Sequence, residues 1–208
     1  MIDEDNKFAS SIYISLGFVG LLWIIKFFEI IAGVNLSQFG LFPHRISGLA
    51  GILTAPLLHA NINHLLSNSL PVIFLSVGIV YFYPKSSLKV FLMVYLVPGV
   101  FVWLFGRPAY HIGASGLIYG FVSFLFFSGL IRRDNRSIAL ALIVTFLYGG
   151  IIWGVLPLDR EISWEYHLFG ALTGIYSAFL FRKLDPAKKY DWEDEDEEDY
   201  IDDIEQPL

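Results

Sequence analysis

The chain alternates between long apolar runs and short polar or charged segments. Six runs approach or reach the length of a membrane-spanning helix, at about residues 11–33, 58–82, 87–106, 115–131, 137–156 and 165–181. An α-helix rises about 1.5 Å per residue and the hydrocarbon layer is about 30 Å thick, so about twenty apolar residues cross it. The pattern therefore predicts an all-α, polytopic membrane protein with six transmembrane helices, of which the fourth and sixth are short.

A long connection, residues 35–57, separates the first two predicted spans. Two prolines and two glycines interrupt any helix there: Pro43, Gly48, Gly51 and Pro56. The segment is apolar for a loop, so we expect it to rest partly in the outer leaflet as an interfacial element.

The composition favours the same class of protein. Of 208 residues, 55% are hydrophobic, which is typical of a polytopic membrane protein rather than a soluble enzyme. The absence of cysteine excludes disulfides and thiol catalysis.

The N-terminus lacks the basic region of a signal peptide, so the first apolar run should remain as a span. We predict a cytoplasmic segment at 1–10, a six-span domain at 11–184 and a tail at 185–208.

Charge is distributed unevenly along the chain. The net charge is −6, but eleven acidic residues lie between Asp191 and Glu205, which leaves +5 on the rest. We therefore expect a basic membrane body with an acidic, disordered tail that is either solvated or binds a partner. With both termini inside, ten Lys and Arg residues fall in cytoplasmic segments and four elsewhere, which favours cytoplasmic termini. We expect the protein to lie in the plasma membrane. Lys26 and Glu29 are three residues apart in the first span and should pair.

Polar residues of three spans reach nearly the same depth in the bilayer. Counted back from the basic residues that end their helices, they lie about 22 to 25 Å from the cytoplasmic surface. They are Asn68, Ser115 and His167. An unneeded polar group at this depth would cost free energy, so we interpret the three as a site.

The serine lies in the motif Gly113-Ala114-Ser115-Gly116 at the head of the fourth span. A serine becomes a nucleophile when a base within hydrogen-bond reach takes its proton, and His167 is the candidate base. Small residues at helical spacing let two membrane helices approach closely. Such residues share a face with His167 on the sixth span and form a matching face on the fourth: Gly170 and Gly174, with Gly116 and Gly120.

Supporting groups can be assigned around this pair. Tyr119 lies one turn below Ser115, and its ring is expected to pack under the imidazole of His167. Glu165 is two residues from His167 and should point elsewhere, which favours a dyad over a triad. Gly113 allows a backbone conformation before the serine that a side chain would forbid.

Acyl transfer also requires hydrogen-bond donors for the developing oxyanion. His64 and Asn68 are four residues apart and project from one face of the second span. The candidate donors are the His64 ring, the Asn68 amide and the backbone N–H of Ser115.

Each residue also has a structural interpretation. A glycine-serine string in a membrane helix commonly serves packing, and a lone histidine or asparagine often joins helices by a hydrogen bond. His59 and His111 are interpreted as structural. A functional site is favoured because Asn68, Ser115 and His167 agree in membrane depth and in helix face, which packing alone does not require.

With its motifs at these spacings, the chain resembles the rhomboid intramembrane serine proteases. The resemblance covers about residues 8–184. It rests on His59, His64 and Asn68 in the second span, on the serine motif with Tyr119 in the fourth, and on His167 with its two glycines in the sixth.

The resemblance implies roles for these residues. Ser115 would be the nucleophile, His167 the general base and Tyr119 its stacking partner. His64, Asn68 and the Ser115 amide would form the oxyanion hole. Rhomboid proteases cleave transmembrane substrates near the bilayer face through an acyl-enzyme, without metal or cofactor. Substrate is admitted laterally. The fifth span and the cap loop that follows it, residues 156–164, act as a mobile gate.

One departure concerns the first loop. Many rhomboid proteases carry a Trp-Arg pair there, whereas this chain has Pro43-His44-Arg45. This departure concerns the packing of the loop and not Ser115 or His167.

The sequence thus predicts an intramembrane serine endopeptidase whose partners are transmembrane substrates and membrane lipid, with no role for nucleic acid. It does not indicate an oligomeric state. Three alternatives remain: a non-proteolytic relative that binds membrane clients, a metal-dependent hydrolase using His59, His64, His111 and His167, and a transporter. The sequence shows neither a His-Glu-x-x-His motif nor a repeat of the spans, which disfavours the last two.

Overall fold

The computed structural model describes residues 4–159 and 162–186, and the described part contains seven α-helices. Apart from an isolated antiparallel bridge between Leu41 and His111, this part holds no β-structure. The predicted acidic run from Asp191 to Glu205 lies outside the described residues. The helices are α1 Glu4–Ala32, α2 Gly51–Thr54, α3 Ile62–Phe82, α4 Ser87–Phe105, α5 Ser115–Arg132, α6 Asn135–Tyr148 and α7 Trp164–Leu180.

The predicted all-α membrane bundle is confirmed. Five helices are long and apolar enough to cross a membrane: α1, α3, α4, α5 and α6, the last together with the 3-10 helix Gly149–Val155 that continues it. The sixth is α7, whose 17 residues lie at the lower end of the range that spans a bilayer. Large apolar side chains such as Ile31 and Phe146 are more than four-fifths exposed, as expected of a surface that faces lipid.

Two helix starts differ from the prediction. The first helix begins at Glu4 rather than at residue 11, because no glycine or proline interrupts the intervening residues, and much of the predicted N-terminal segment is therefore helical. The second long helix begins at Ile62 rather than at residue 58. The side chain of Asn61 accepts a hydrogen bond from the backbone N–H of His64 at 2.8 Å and so caps α3.

The first loop contains only short helical turns, as its prolines and glycines predict. They are the 3-10 helices Leu36–Phe39, Ile46–Gly48 and Ala55–Leu57, and α2. Trp103 of α4 holds this loop, because its indole N–H donates to the carbonyl of Arg45 at 2.9 Å. A tryptophan therefore does contact the arginine, but it comes from a helix distant in sequence.

Helix α5 lies at the centre of the bundle and packs against α3, α4, α6 and α7. Its side chains Leu117, Phe124 and Leu125 are almost completely buried. The contact with α7 is a backbone contact. A Cβ on Gly170 would collide with the carbonyl oxygen of Gly116, and one on Gly174 with that of Gly120.

Asp185, the first residue after the predicted domain boundary, contacts the start of α4. Asp185 is buried, and its carboxylate accepts the backbone N–H groups of Lys85 and Ser86 and the Ser86 hydroxyl, at 2.7 to 3.0 Å. These groups precede α4. The side chain of Ser86, the N-cap residue of that helix, makes no capping hydrogen bond itself. Asp185 thus ties the end of α7 to the start of α4.

Candidate active site

Ser115 and His167 are brought together where α5 and α7 begin. Ser115 is the first residue of α5 and His167 lies in the first turn of α7. The Oγ of Ser115 lies 2.8 Å from the Nε2 of His167, a hydrogen-bond distance. The glycine contact between the two helices is what allows this approach, since larger side chains would separate α5 from α7.

The His167 ring is constrained on one face and at its second ring nitrogen. The Tyr119 ring stacks on the imidazole, with centroids 4.2 Å apart and an interplanar angle of 10°. The second ring nitrogen, Nδ1, lies 2.9 Å from the carbonyl oxygen of Gly154 in the 3-10 helix Gly149–Val155. The Tyr119 hydroxyl donates to the carbonyl of Ile151 in the same segment at 2.6 Å. The imidazole is therefore held by contacts from α5 and from the end of α6.

The backbone that leads into Ser115 has a conformation that requires glycine. Gly113 has a φ of +115°, which L-residues with a side chain rarely adopt. Its N–H donates to the carbonyl of Ala55 at 2.9 Å, and the N–H of Ala114 donates to the Nε2 of His59 at 3.4 Å. His59 is thus a support for the serine backbone, in agreement with its structural interpretation.

Of the two predicted oxyanion donors on α3, His64 contacts this turn and Asn68 is bonded to the backbone of His64. The His64 ring packs against Gly113, where a Cβ would come within 2.7 Å of its Cε1. Asn68 is buried, and its Nδ2 donates to the backbone carbonyl of His64 at 2.9 Å. That bond uses one of the two N–H groups of the amide. The N–H of Ser115 lies at a helix N-terminus, where backbone donors have no acceptor within the helix.

A buried ion pair supports the chain just before α3. Lys26 and Glu29 pair at 2.6 Å, as their spacing predicts. The Lys26 ammonium also donates to the carbonyls of His59 and Ala60 at 3.0 and 3.2 Å. The side chain of Glu29 accepts from the backbone N–H of Leu36 at 2.9 Å. The pair thus joins α1 to both ends of the first loop.

Glu165 faces away from His167, as expected. Its Oε1 lies 3.4 Å from the Nε of Arg107, and the Arg107 guanidinium also donates to the carbonyl of Ile162. His111 is completely buried beside this pair, with its Nε2 at 3.2 Å from the Arg107 carbonyl, and burial lowers the pKa of its imidazole. Arg107 therefore anchors the residues just before α7.

A groove of about 660 Å³ opens between α3 and α6. Its lining is mainly apolar and includes Leu66, Leu70 and Phe74 of α3, with Leu147 and Tyr148 of α6. Within residues 4–159 and 162–186, no three His, Asp or Glu side chains are grouped so that they could hold a metal ion.

Sequence reasoning missed the carbonyl groups of Ile151 and Gly154. A backbone carbonyl is present in every residue and leaves no side-chain signature. The only signal was Gly154 itself. A Cβ there would lie 3.3 Å from the Nδ1 of His167 and would clash with the Tyr119 hydroxyl.

The chain is similar to known sequences over most of its length. The family model described as "Rhomboid domain" matches residues 47–184. An uncharacterized protein of Mycobacterium bovis is 36% identical over 178 residues, which cover 79% of this chain and 72% of the relative, and the same values hold for a Mycobacterium tuberculosis protein. An uncharacterized protein of Mycobacterium leprae is 34% identical over 174 residues, with 79% and 69% covered.

Proposed function

We propose, from the premise that the chain belongs to the rhomboid family of intramembrane proteases, that Ser115 and His167 are the catalytic dyad of an intramembrane serine endopeptidase. The observation that carries this proposal is the 2.8 Å contact between Ser115 Oγ and His167 Nε2. A hydroxyl and an imidazole at this distance have the geometry of an activated nucleophile and its base.

The reaction begins when the Nε2 of His167 takes the proton of Ser115. The serine oxygen attacks the carbonyl carbon of the scissile bond and forms a tetrahedral intermediate. His167 then gives its proton to the leaving amine, and an acyl-enzyme remains on Ser115. Water, deprotonated by the same imidazole, hydrolyses that ester and regenerates the serine.

The negative charge that develops on the substrate oxygen needs donors fixed in advance. We assign them as the Asn68 amide, the His64 ring and the Ser115 backbone N–H. The capped start of α3 and the contact of His64 with Gly113 support this assignment, because they hold the His64 ring beside the backbone that leads into Ser115. Preorganised donors commonly contribute a factor of about a hundred to a thousand in rate.

Members of this family act on transmembrane substrates in membranes, and the groove between α3 and α6 supports lateral docking of such a segment. The groove is mainly apolar and is lined by α3, which carries His64 and Asn68. The opposite wall, α6, continues into the 3-10 helix that contacts His167. A substrate helix docked there would unwind at its end to present a peptide bond to Ser115.

The protein is an integral membrane protein, and we propose that it lies in the plasma membrane with both termini in the cytoplasm. The excess of Lys and Arg residues in the predicted cytoplasmic segments supports this orientation. We also propose that residues 11–184 act as the protease domain, without cofactor, and that residues 185–208 are a separate acidic tail whose first residue, Asp185, packs on that domain.

The decisive experiment is covalent labelling of purified protein in liposomes with a fluorophosphonate, followed by cleavage of a labelled transmembrane substrate. Ser115→Ala should lose both labelling and cleavage, whereas Ser123→Ala, on the same helix, should retain both. Retained cleavage in a chelator would exclude the metal-dependent alternative. Undiminished turnover in Ser115→Ala would remove the nucleophile assignment, and a wild-type protein that is not labelled would favour a non-proteolytic client-binding relative.

A further inference from the structure

The contacts of His167 determine which of its nitrogens carries the hydrogen. A carbonyl oxygen can only accept a hydrogen bond, so the 2.9 Å contact with Gly154 requires a hydrogen on Nδ1. A neutral imidazole carries one ring hydrogen, which leaves a lone pair on Nε2. The Nε2 lone pair then faces the hydroxyl of Ser115, which donates to it across 2.8 Å.

We infer that the backbone carbonyl of Gly154 is the positioning group of the dyad: it holds His167 in the tautomer that can accept the serine proton. The inference rests on the proposed function and deepens it. In a serine triad a carboxylate binds the second ring nitrogen and fixes the tautomer. Here the carboxylate nearest to His167 in the sequence, that of Glu165, is paired with Arg107, and a peptide carbonyl occupies the corresponding position.

The carbonyl also acts when His167 is charged. The proton from Ser115 goes to Nε2, while Nδ1 keeps its own hydrogen, so the imidazolium donates from both nitrogens. A hydrogen bond from a charged donor is stronger than one from a neutral donor. The Gly154 carbonyl therefore stabilises the protonated ring more than the neutral ring, which favours proton transfer.

Glycine at position 154 is required for this contact. A Cβ there would clash with the Tyr119 hydroxyl and lie 3.3 Å from the Nδ1 of His167. Gly150 lies in the same 3-10 helix, but a Cβ on it would meet no atom within 4 Å. The two glycines therefore form a matched pair for substitution by alanine.

The position of the 3-10 helix Gly149–Val155 is fixed by a second bond to the same aromatic stack. The Tyr119 hydroxyl donates to the carbonyl of Ile151, three residues before Gly154, at 2.6 Å. The segment thus supplies one carbonyl to each ring of the Tyr119–His167 stack. Because the segment continues from α6, which lines the groove, a movement of α6 that carries Gly154 away would leave Nδ1 without its acceptor. The 3-10 helix Gly149–Val155 must therefore lie over His167 while the proton moves from Ser115 to the imidazole.

The tautomer can be read directly by nitrogen NMR. The full-length protein is labelled with ¹⁵N-histidine in bicelles, at a pH where the imidazole is neutral. The chain has five histidines, and the His167 signals are identified by their loss in His167→Asn. We expect the hydrogen of wild-type His167 to reside on Nδ1. A hydrogen on Nε2 in the wild type would overturn the inference.

Alanine substitution of Gly154 and of Gly150 then tests whether the tautomer of His167 affects the reactivity of Ser115. In Gly154→Ala we expect a loss of the Nδ1–H form and a fall of about tenfold in the fluorophosphonate labelling rate, the effect of one lost hydrogen bond. Gly150→Ala should leave both unchanged. An unchanged tautomer and rate in Gly154→Ala would contradict the inference, and if that variant fails to fold, the wild-type spectrum decides. A wild-type protein without labelling would contradict the proposed function instead, while its His167 spectrum would still test the role of Gly154.

Discussion

At the scale of single residues, Asn68 is the clearest test of the oxyanion assignment. Its amide is buried and held by one bond to the His64 carbonyl, so a second N–H is available to the substrate. We expect Asn68→Ala to lower kcat by a factor of about a hundred to a thousand with little change in KM, because the donor acts on the developing charge. Cleavage kinetics in liposomes measure this.

The control for this substitution is Asn135→Ala, which removes an exposed amide at the start of α6. Its kinetics should match those of the wild type. An Asn68→Ala variant with the wild-type kcat would remove Asn68 from the oxyanion hole and restrict it to joining helices.

The dyad also predicts a pH dependence. His167 must be neutral to accept the serine proton, and an unperturbed imidazole has a pKa of about 6.5. The active form is therefore lost as the pH falls through the pKa of this histidine, so we expect kcat/KM to decrease on acidification. Initial cleavage rates in liposomes across the titration range measure it. A rate that rises on acidification would contradict a neutral base.

At the scale of elements, the close packing of α5 on α7 determines the position of Ser115 relative to His167. A Cβ at position 174 would collide with the carbonyl oxygen of Gly120, which cannot move away as a flexible side chain could. We expect Gly174→Ala to lower the free energy of unfolding by about 1 to 3 kcal/mol, the usual cost of overpacking. Thermal or denaturant unfolding in micelles measures the change.

Gly17→Ala is the matched control for this prediction. It also places alanine in a membrane helix, but a Cβ there meets no atom within 4 Å. Its stability should equal or slightly exceed that of the wild type, because alanine favours helix over glycine. Equal stabilities of Gly174→Ala and the wild type would mean that the two helices can separate without cost.

Buried polar contacts hold the ends of the helices on both sides of the bundle. On one side the Lys26 ammonium binds the carbonyls of His59 and Ala60, next to the cap of α3. On the other side Asp185 caps the start of α4. Each contact joins segments that are far apart in sequence, so the turns that lead into α3 and α4 are fixed by side chains rather than by local turn propensity.

At the scale of the whole molecule, orientation in the membrane is the main prediction. The chain has no cysteine, so single cysteines can be introduced without background. Lys85 lies in the exposed turn between α3 and α4, and Ser47 lies in the exposed first loop. Each is replaced by cysteine in a separate variant. We expect an impermeant thiol reagent added to intact cells to label Ser47→Cys and not Lys85→Cys, because the positive charge bias places residue 85 inside.

Permeabilised cells provide the control, since both cysteines should then react. Labelling of Lys85→Cys alone in intact cells would reverse the orientation and would place the candidate site at the cytoplasmic side. The lipid-facing surface would be unaffected by that result, because exposed apolar side chains surround the bundle in either orientation.

The sequence by itself determined the six apolar helices, their approximate limits and the levels along those helices at which Asn68, Ser115 and His167 lie. These features follow from the number of apolar residues and the rise of a helix, which are properties of one segment at a time. The α5–α7 contact was also predictable, because paired glycines at helical spacing have few other uses in a membrane.

Only the tertiary structure decided which groups complete the site. The carbonyls of Gly154 and Ile151, the contact of Lys26 with the turn before α3, and the approach of Trp103 to Arg45 all join distant segments. Every residue carries a carbonyl and many carry a donor, so their pairing depends on how the helices pack rather than on residue type. Local patterns predict where a polar side chain lies along its helix, whereas the partner that orients it is chosen by the fold.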